Sequence, residues 1–431
     1  MLINSHCHVF NLQAIYTDKT KDIIRYKIES KGLSRAFANF ALRVLDHYMK
    51  HGDGIDLGAS LDDRVEALIA ADERGDKKIA GALRAMSRGV DPDRFERFRK
   101  LLRLGTLDAR IPDIEDLVDY LSVAFAKDMD QITTHLMNDL GDDWALVPLM
   151  MDITEGAGQE DEDLFKMQLE STVRQAERYP GRVFPFVAAT TNRPGAPERV
   201  FQALGNGCVG VKLYPSLGYD LDVGMEIDEI FGHCNDNGVP MLMHCSRIGF
   251  KAGDGYERRC RPEMWWKLLR RYPKLRICFG HFGGDEDLSV RGEPGPWAGT
   301  IISMMRDADL GPRVFADLSY HTEAMKVGPQ KRYFDRLAAL LEEPACKGQI
   351  LFGTDFWMVR NRLSDRSYVE YFRDNMSPEH FDIIARDNPR RFLGLRDSGP
   401  AENIMKQVRW LKKRRPGLDG SAMPEWLAKA W

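Results

Sequence analysis

The chain has 431 residues, 43 % hydrophobic and 29 % charged, with a formal net charge of −4 and a pI near 6.2. That is an ordinary globular composition, long enough to bury a large core. Mild acidity speaks against nucleic acid and anionic membranes as partners, and no run of about 18 apolar residues is available for a membrane span.

In chain order, short apolar runs bounded by turn residues suggest buried parallel strands. The first is Leu2-Ile3 running into His6. The others are Trp144 to Ile153, Val183 to Thr191, Cys208 to Tyr214, Pro240 to Cys245, Leu275 to His281, Val314 to Tyr320 and Gln349 to Asp355. Helical patterns separate them from the second onward: 161–179, 197–204, 227–237, 263–272, 297–308 and 332–342, with closing helices at 377–385 and 389–393. Eight strands, each followed by a helix, predict a (β/α)8 barrel. A doubly wound sheet is disfavoured because no glycine-rich phosphate loop follows the first strand.

The gap from Asn11 to Asp143 is too long for a connection and carries helical patterns of its own at 34–50, 61–70, 77–87, 92–104 and 113–140. Its last helix is expected to belong to the barrel. The rest is expected to form a cap over the active-site face, since the loops after barrel strands build that face. The domain reading is a catalytic barrel over 1–10 and 141–395, a helical insertion over 11–140, and a C-terminal tail over 396–431 packing on the barrel. The tail's basic run, Lys412 to Arg415, is read as a solvated surface. The cysteines are seven, scattered, and without a CxxC pair, which fits free thiols in a reducing compartment. The N-terminus lacks the basic start and apolar run of a secretory leader, so the cytoplasm is expected. A homodimer is a base-rate expectation only.

Histidine is scarce, at ten residues, yet the ends of these strands collect it. His6 and His8 close strand one, His244 strand five and His281 strand six, and Asp355 closes strand eight. All arrive where barrel strands deliver residues to the C-terminal face. In a strand, residues two apart share a side, so an HxH pair presents two imidazoles to one ion. Three imidazoles and one carboxylate match a divalent metal site with an open position, with His6, His8, His244 and Asp355 as ligands. Zinc is the first expectation, with manganese or iron as alternatives. His281, set among glycines in Gly280-His281-Phe282-Gly283-Gly284, is then the general acid or base, because imidazole ordinarily titrates near about 6.5. Lys212, Arg247 and Arg360 are candidates to hold a carboxylate-bearing small-molecule substrate.

These positions resemble the amidohydrolase superfamily, and more closely its branch holding aminocarboxymuconate-semialdehyde decarboxylase, resorcylate decarboxylases and lactone or amide hydrolases. The likeness covers about Met1 to His8 and Trp144 to Leu395, not the helical insertion. It rests on His6-Cys7-His8, His244, Gly280 to Gly284, Gly353-Thr354-Asp355 and the closing segment Asn388 to Leu395. The resemblance implies the same four metal ligands and a catalytic role for His281. Two departures stand out. Asn4 replaces the aspartate usual two residues before the first histidine, and is expected to support the site rather than ligate. Lys212 falls near the carboxylated lysine that bridges two metals in binuclear members, although this branch usually lacks the bridge, so one metal is favoured over two. The function this implies is a metal-dependent hydrolase acting on an amide, lactone or related carbonyl compound through a metal-activated water, with Asp355 taking the proton. The alternative is a non-oxidative decarboxylase of an aromatic or unsaturated acid.

Overall fold

A computed structural model of the chain describes residues 1–30, 35–72, 80–81, 114–156, 161–191, 193–222, 224–361, 363–396, 398–418 and 423–431. Eight parallel strands appear where apolar runs meet turns: β1 (Leu2–Cys7), β2 (Trp144–Pro148), β3 (Phe186–Ala189), β4 (Gly210–Leu213), β5 (Pro240–His244), β6 (Arg276–Gly280), β7 (Val314–Asp317) and β8 (Ile350–Leu351). β3 to β8 form one ladder in chain order and β1 pairs with β2. Hydrogen bonds cross both seams. Phe184 N–H reaches Leu146 O at 2.9 Å and Met150 N–H reaches Phe186 O at 3.1 Å, joining β2 to β3; Ser5 N–H reaches Phe352 O and Asp355 N–H reaches His6 O, each at 2.9 Å, joining β8 to β1. The sheet is therefore a (β/α)8 barrel.

Side-chain alternation explains its packing. Leu242 shares one buried cluster with Ile3, Cys278, Phe315 and Leu351 from other strands. Its neighbours Met241 and Met243 pack with residues of the surrounding helices, such as Phe231 and Leu269. Phe392, Ile404 and Leu427 close the far end of the inner core. Ile404 lies on a tail helix, Glu402–Arg414, tied down by Asn403 Nδ2 donating to Val209 O (3.1 Å) and Gln407 Nε2 donating to Val183 O (3.1 Å). The basic run at its end is exposed, with Arg414 paired to Glu177.

Between β1 and β2 the described helices are α1 (Asp18–Ser30), α2 (Arg35–His51), α3 (Leu61–Ala71), α4 (Ile114–Ala124) and α5 (Met129–Leu140). The expected single helix over 113–140 is two. The chain leaves α4 to pair with Ile55, which exchanges bonds with Phe125 O (2.9 Å) and Lys127 N–H (3.0 Å). Asp128 then starts α5 by accepting from Gln131 N–H. The expected helix at 92–104, and all but residues 80–81 of that at 77–87, lie outside the described residues. A shared apolar cluster joins α2 to α5 with Phe10, Tyr214 and Trp357. All seven cysteines are buried and free, and no described helix is long and apolar enough to cross a membrane.

Candidate active site

Each candidate residue reaches the C-terminal mouth through strand periodicity, with one interruption. Leu242 points into the barrel, so two residues later His244 does as well, and Phe315 leads to Asp317 in the same way. On β1 the pairing runs Asn4 to Leu146 and then Cys7 to Pro148, so β1 holds one more residue than its partner. This bulge changes the phase of the strand. Ile3 packs in the inner core, yet His6 and His8 both turn to the mouth. His6 threads between two glycines, where a Cβ on Gly280 would lie 3.1 Å from His6 Cε1 and one on Gly353 2.7 Å from His6 Cβ. Asn4 is buried and joins the flanking strands. It donates to Thr354 Oγ1 (2.9 Å) and accepts from the backbone N–H groups of Thr354 (3.0 Å) and His6 (3.3 Å).

The outer nitrogen of every imidazole faces an oxygen that can only accept. His6 Nδ1 lies 2.9 Å from Asp317 Oδ2, His8 Nδ1 2.9 Å from Leu149 O, His244 Nε2 2.8 Å from Ile248 O and His281 Nδ1 3.0 Å from Ser319 O. Those nitrogens carry the hydrogens, so each ring, where neutral, has its lone pair on the inner nitrogen. The inner set converges. His8 Nε2 is 3.2 Å and His6 Nε2 3.5 Å from Asp355 Oδ1, and His244 Nδ1 is 3.1 Å from His281 Nε2. His6 Nε2 is buried and has no hydrogen-bond partner among the described residues. Acceptors this close are stable only with a cation among them, either an added proton or a metal. His6, His8 and Asp355 offer ligand atoms within 4.8 Å of one another; His6, His281 and Asp317 form a second such group. His244 falls in neither, and stands against His281 with ring centroids 4.8 Å apart.

The electrostatics agree with this protonation pattern. Burial holds His6 down at about 3, helped by the Lys212 charge and opposed by Asp317. Burial, His281 and Lys212 hold His244 well below its ordinary range. Burial pushes the Asp355 carboxyl up, but the three neighbouring histidines outweigh it and the net shift is downward. Asp317 likewise ends well below the usual carboxylate range, its contacts with His6 and His281 overcoming burial. Neutral imidazoles and ionised carboxylates are the forms that bind metal.

Lys212, the residue before the last of β4, is 2 % exposed and pairs in register with the inward Leu242. Among the described residues no ion pair or hydrogen bond reaches its Nζ, which lies 5.8 Å from the centroid of the Tyr214 ring. Burial lowers the ammonium to about 8, with Asp317 and Asp355 opposing. The two arginines expected beside it are committed elsewhere. Arg360 is buried and pairs with Asp119, Asp139 (2.8 Å) and Asp365 (3.1 Å). All three of its nitrogens meet carboxylates, so it ties the loop after Asp355 to α4, α5 and the helix at Asp365–Asn375 and offers no free fork to a substrate. Arg247 stacks on Trp297 (4.7 Å) and pairs with Asp287 (3.0 Å) and Glu286 (3.3 Å). Both arginines are loop residues with long side chains, whose partners sequence spacing does not reveal.

Sequence reasoning assigned no role to Asp317 and Ser319. Ser319 Oγ lies 3.0 Å from both His6 Nδ1 and His281 Nδ1 and donates to Asp317. The available signal was an aspartate at the C-terminal end of a buried strand, the same signal that identified Asp355. His281, Phe282, Tyr320 and Asp355 all have positive φ, at 64°, 49°, 56° and 60°. Non-glycine residues occupy this region at a cost and cluster at functional sites. His321 supports one of them, its Nε2 donating to His281 O (3.0 Å) while Nδ1 accepts from Tyr333 (2.6 Å).

Comparison with known proteins gives a family described as Amidohydrolase, matching residues 145–395. Among solved structures, an uncharacterized TIM-barrel protein from Bordetella bronchiseptica is 19 % identical, with 72 % of this chain and 92 % of that one covered and a TM-score of 0.46. A 2,6-dihydroxybenzoate decarboxylase from Rhizobium is 15 % identical (61 % and 87 % covered, TM-score 0.44). A dihydroxybenzoic acid decarboxylase from a Polaromonas species, with bound manganese and 2-nitroresorcinol, is 14 % identical (63 % and 87 % covered, TM-score 0.42). At these identities and scores they add nothing on activity. No curated protein matches the chain.

Proposed function

The chain belongs to the amidohydrolase family, a family of metal-dependent enzymes, and from that premise we propose that it is a hydrolase acting on a small carbonyl compound, an amide, lactone or related C–N or C–O bond. The observation that carries this reading is the convergence of inward lone pairs, each imidazole fixed from behind by an oxygen acceptor. In this reading His6, His8, His244 and Asp355 hold one divalent ion, with zinc first and manganese or iron as alternatives. His244 would join them through Nδ1, its Nε2 being held by Ile248 O. The bound ion would supply Lewis acidity, polarising a carbonyl oxygen and acidifying water.

The chain's own residues do the rest. Asp355, kept ionised, accepts a proton from the attacking water. His281 Nε2, which faces the mouth as a lone pair, takes that proton from Asp355 and passes it to the leaving group. Lys212 binds a substrate carboxylate, the counterion it lacks among the described residues. The described part of the insertion caps the mouth, where Trp357 meets Tyr120 of α4 at 5.4 Å between centroids and donates to Phe10 O (2.8 Å). That apolar wall excludes water from the reacting atoms.

A second reading is the carboxy-lyase. Lys212 favours it, because a buried ammonium with no ion pair among the described residues, its charge felt by His6 and His244, suits a substrate whose carboxylate leaves and whose carbon takes the proton. The test is a panel of lactones, amides and hydroxybenzoates on metal-loaded protein, with acid release and carbon dioxide both measured and His281→Asn as the control. Acid release lost in the control supports the hydrolase. Carbon dioxide alone selects the lyase. Neither product from fully loaded protein across the panel overturns the reading.

A further inference from the structure

The geometry points to Asp317 and Ser319, at and just beyond the end of β7, as a positioning relay that sets the tautomers of His6 and His281 together, and through them the direction of both inner lone pairs. The inference rests on the proposed metal-dependent reading, but its first test does not need the metal.

Asp317 is fully buried and both oxygens are assigned. Oδ2 accepts from His6 Nδ1 (2.9 Å). Oδ1 accepts from the backbone N–H groups of His281 (3.0 Å) and Ser319 (3.1 Å) and from the Ser319 hydroxyl. The serine hydrogen is therefore directed at Asp317, and Ser319 Oγ can only accept from the two imidazoles, each 3.0 Å away. His281 Nδ1 has a second acceptor in Ser319 O at 3.0 Å. The whole unit is thus acceptor-only toward both rings. Neutral His6 and neutral His281 have one compatible tautomer each, with hydrogen on Nδ1, and their Nε2 atoms face the mouth unprotonated. The same carboxylate holds the His281 backbone, where φ is 64°, so one group fixes both the position and the protonation pattern of the ring assigned to acid–base work. Carboxylate partners behind metal-bound imidazoles raise their basicity and fix their orientation, and losing one typically weakens metal binding about 10–100-fold.

Asp317→Asn is the informative change. The amide oxygen can keep the two backbone N–H groups, which places the NH₂ against His6 Nδ1. Two donors then oppose each other, and His6 must move its hydrogen to Nε2, toward the metal position. The measurement is a long-range ¹H–¹⁵N correlation on metal-free, ¹⁵N-histidine-labelled full chain, with peaks assigned through His6→Gln and His281→Gln, alongside Zn²⁺ affinity by competition with a chromophoric chelator. The expected result is Nδ1–H at both rings in the parent, Nε2–H at His6 in Asp317→Asn, and Zn²⁺ binding weaker by about 10–100-fold in the variant. Nε2–H at either ring in the parent overturns the relay without reference to any variant, should Asp317→Asn not fold. An unchanged tautomer and affinity in a folded Asp317→Asn also overturns it. If the parent binds no Zn²⁺ but His6 switches tautomer as described, the relay stands and the metal reading falls. If parent and variant bind Zn²⁺ alike and His6 keeps Nδ1–H in the variant, the reverse holds.

Discussion

Replacing Arg360 by leucine separates two roles for the same residue. In the structure its guanidinium is the shared counterion of Asp119, Asp139 and Asp365, and its side chain is 5 % exposed while that of Asp365 is fully buried. Removing one partner of a buried pair leaves uncompensated charge and typically costs about 3–5 kcal/mol. The loss is pH-dependent with a definite sign. Burial raises Asp365 from 3.8 to about 6 even with Arg360 opposing. A carboxyl with a raised folded value contributes stability that is complete below its unfolded value and lost as pH rises through the folded one. That displacement is worth about 3 kcal/mol at neutral pH. Without Arg360 the folded value climbs further, so the deficit of Arg360→Leu is largest near pH 8 and shrinks by pH 5, where Asp365 is protonated in both proteins. Urea unfolding of parent and variant at the two pH values measures this directly. A variant as stable as the parent at pH 8, with a raised KM for an acidic substrate at unchanged kcat, would refute the argument and return Arg360 to substrate binding.

Lys212→Met should lower kcat/KM for a carboxylate substrate by about 10–100-fold, the worth of a charge-assisted contact, and spare an uncharged analogue. It should also raise the urea midpoint, because the parent buries an ammonium with no ion pair among the described residues. His281→Asn should keep the metal and lose about 10²–10⁴ in kcat, as expected when a general acid or base is removed; matched metal analysis and steady-state kinetics check it. His321 is held by burial at about 4. Its contribution to stability is therefore present above about 6.5 and is lost as pH falls toward 4, to a total of about 3 kcal/mol. His321→Gln can keep both hydrogen bonds and should flatten that part of the pH–stability curve, read from unfolding midpoints at pH 7 and 4.5.

Strand order and the residues at the strand ends were legible because buried parallel strands are short apolar runs, and a barrel presents the C-terminal ends of all its strands on one face. The Met241-Leu242-Met243 run announces His244 in this way. The bulge in β1 was not legible: an extra residue between Asn4 and Cys7 leaves no mark on a period-two pattern, yet it decides where His6 and His8 point. The split of the expected helix at 113–140 was hidden as well, since Ile55, far away in sequence, takes the bonds of Phe125 and Lys127. The carboxylate partners of Arg247 and Arg360 were not legible, because an arginine in a loop near a site looks the same whether its partner is a substrate or a carboxylate of the fold. Asp317 sat in plain view at the end of β7, but its role depends on lying 2.9 Å from His6, a contact 311 residues away along the chain.

The central claim is that inward lone pairs on the barrel mouth hold a divalent metal. Elemental analysis of tag-free parent and His244→Ala, after gentle purification and reconstitution, tests it most directly. The account predicts about one equivalent in the parent, as for a catalytic site with protein ligands and an open position, and a large loss in the variant. A folded parent that takes up no metal, or a His244→Ala variant that keeps it in full, would contradict it.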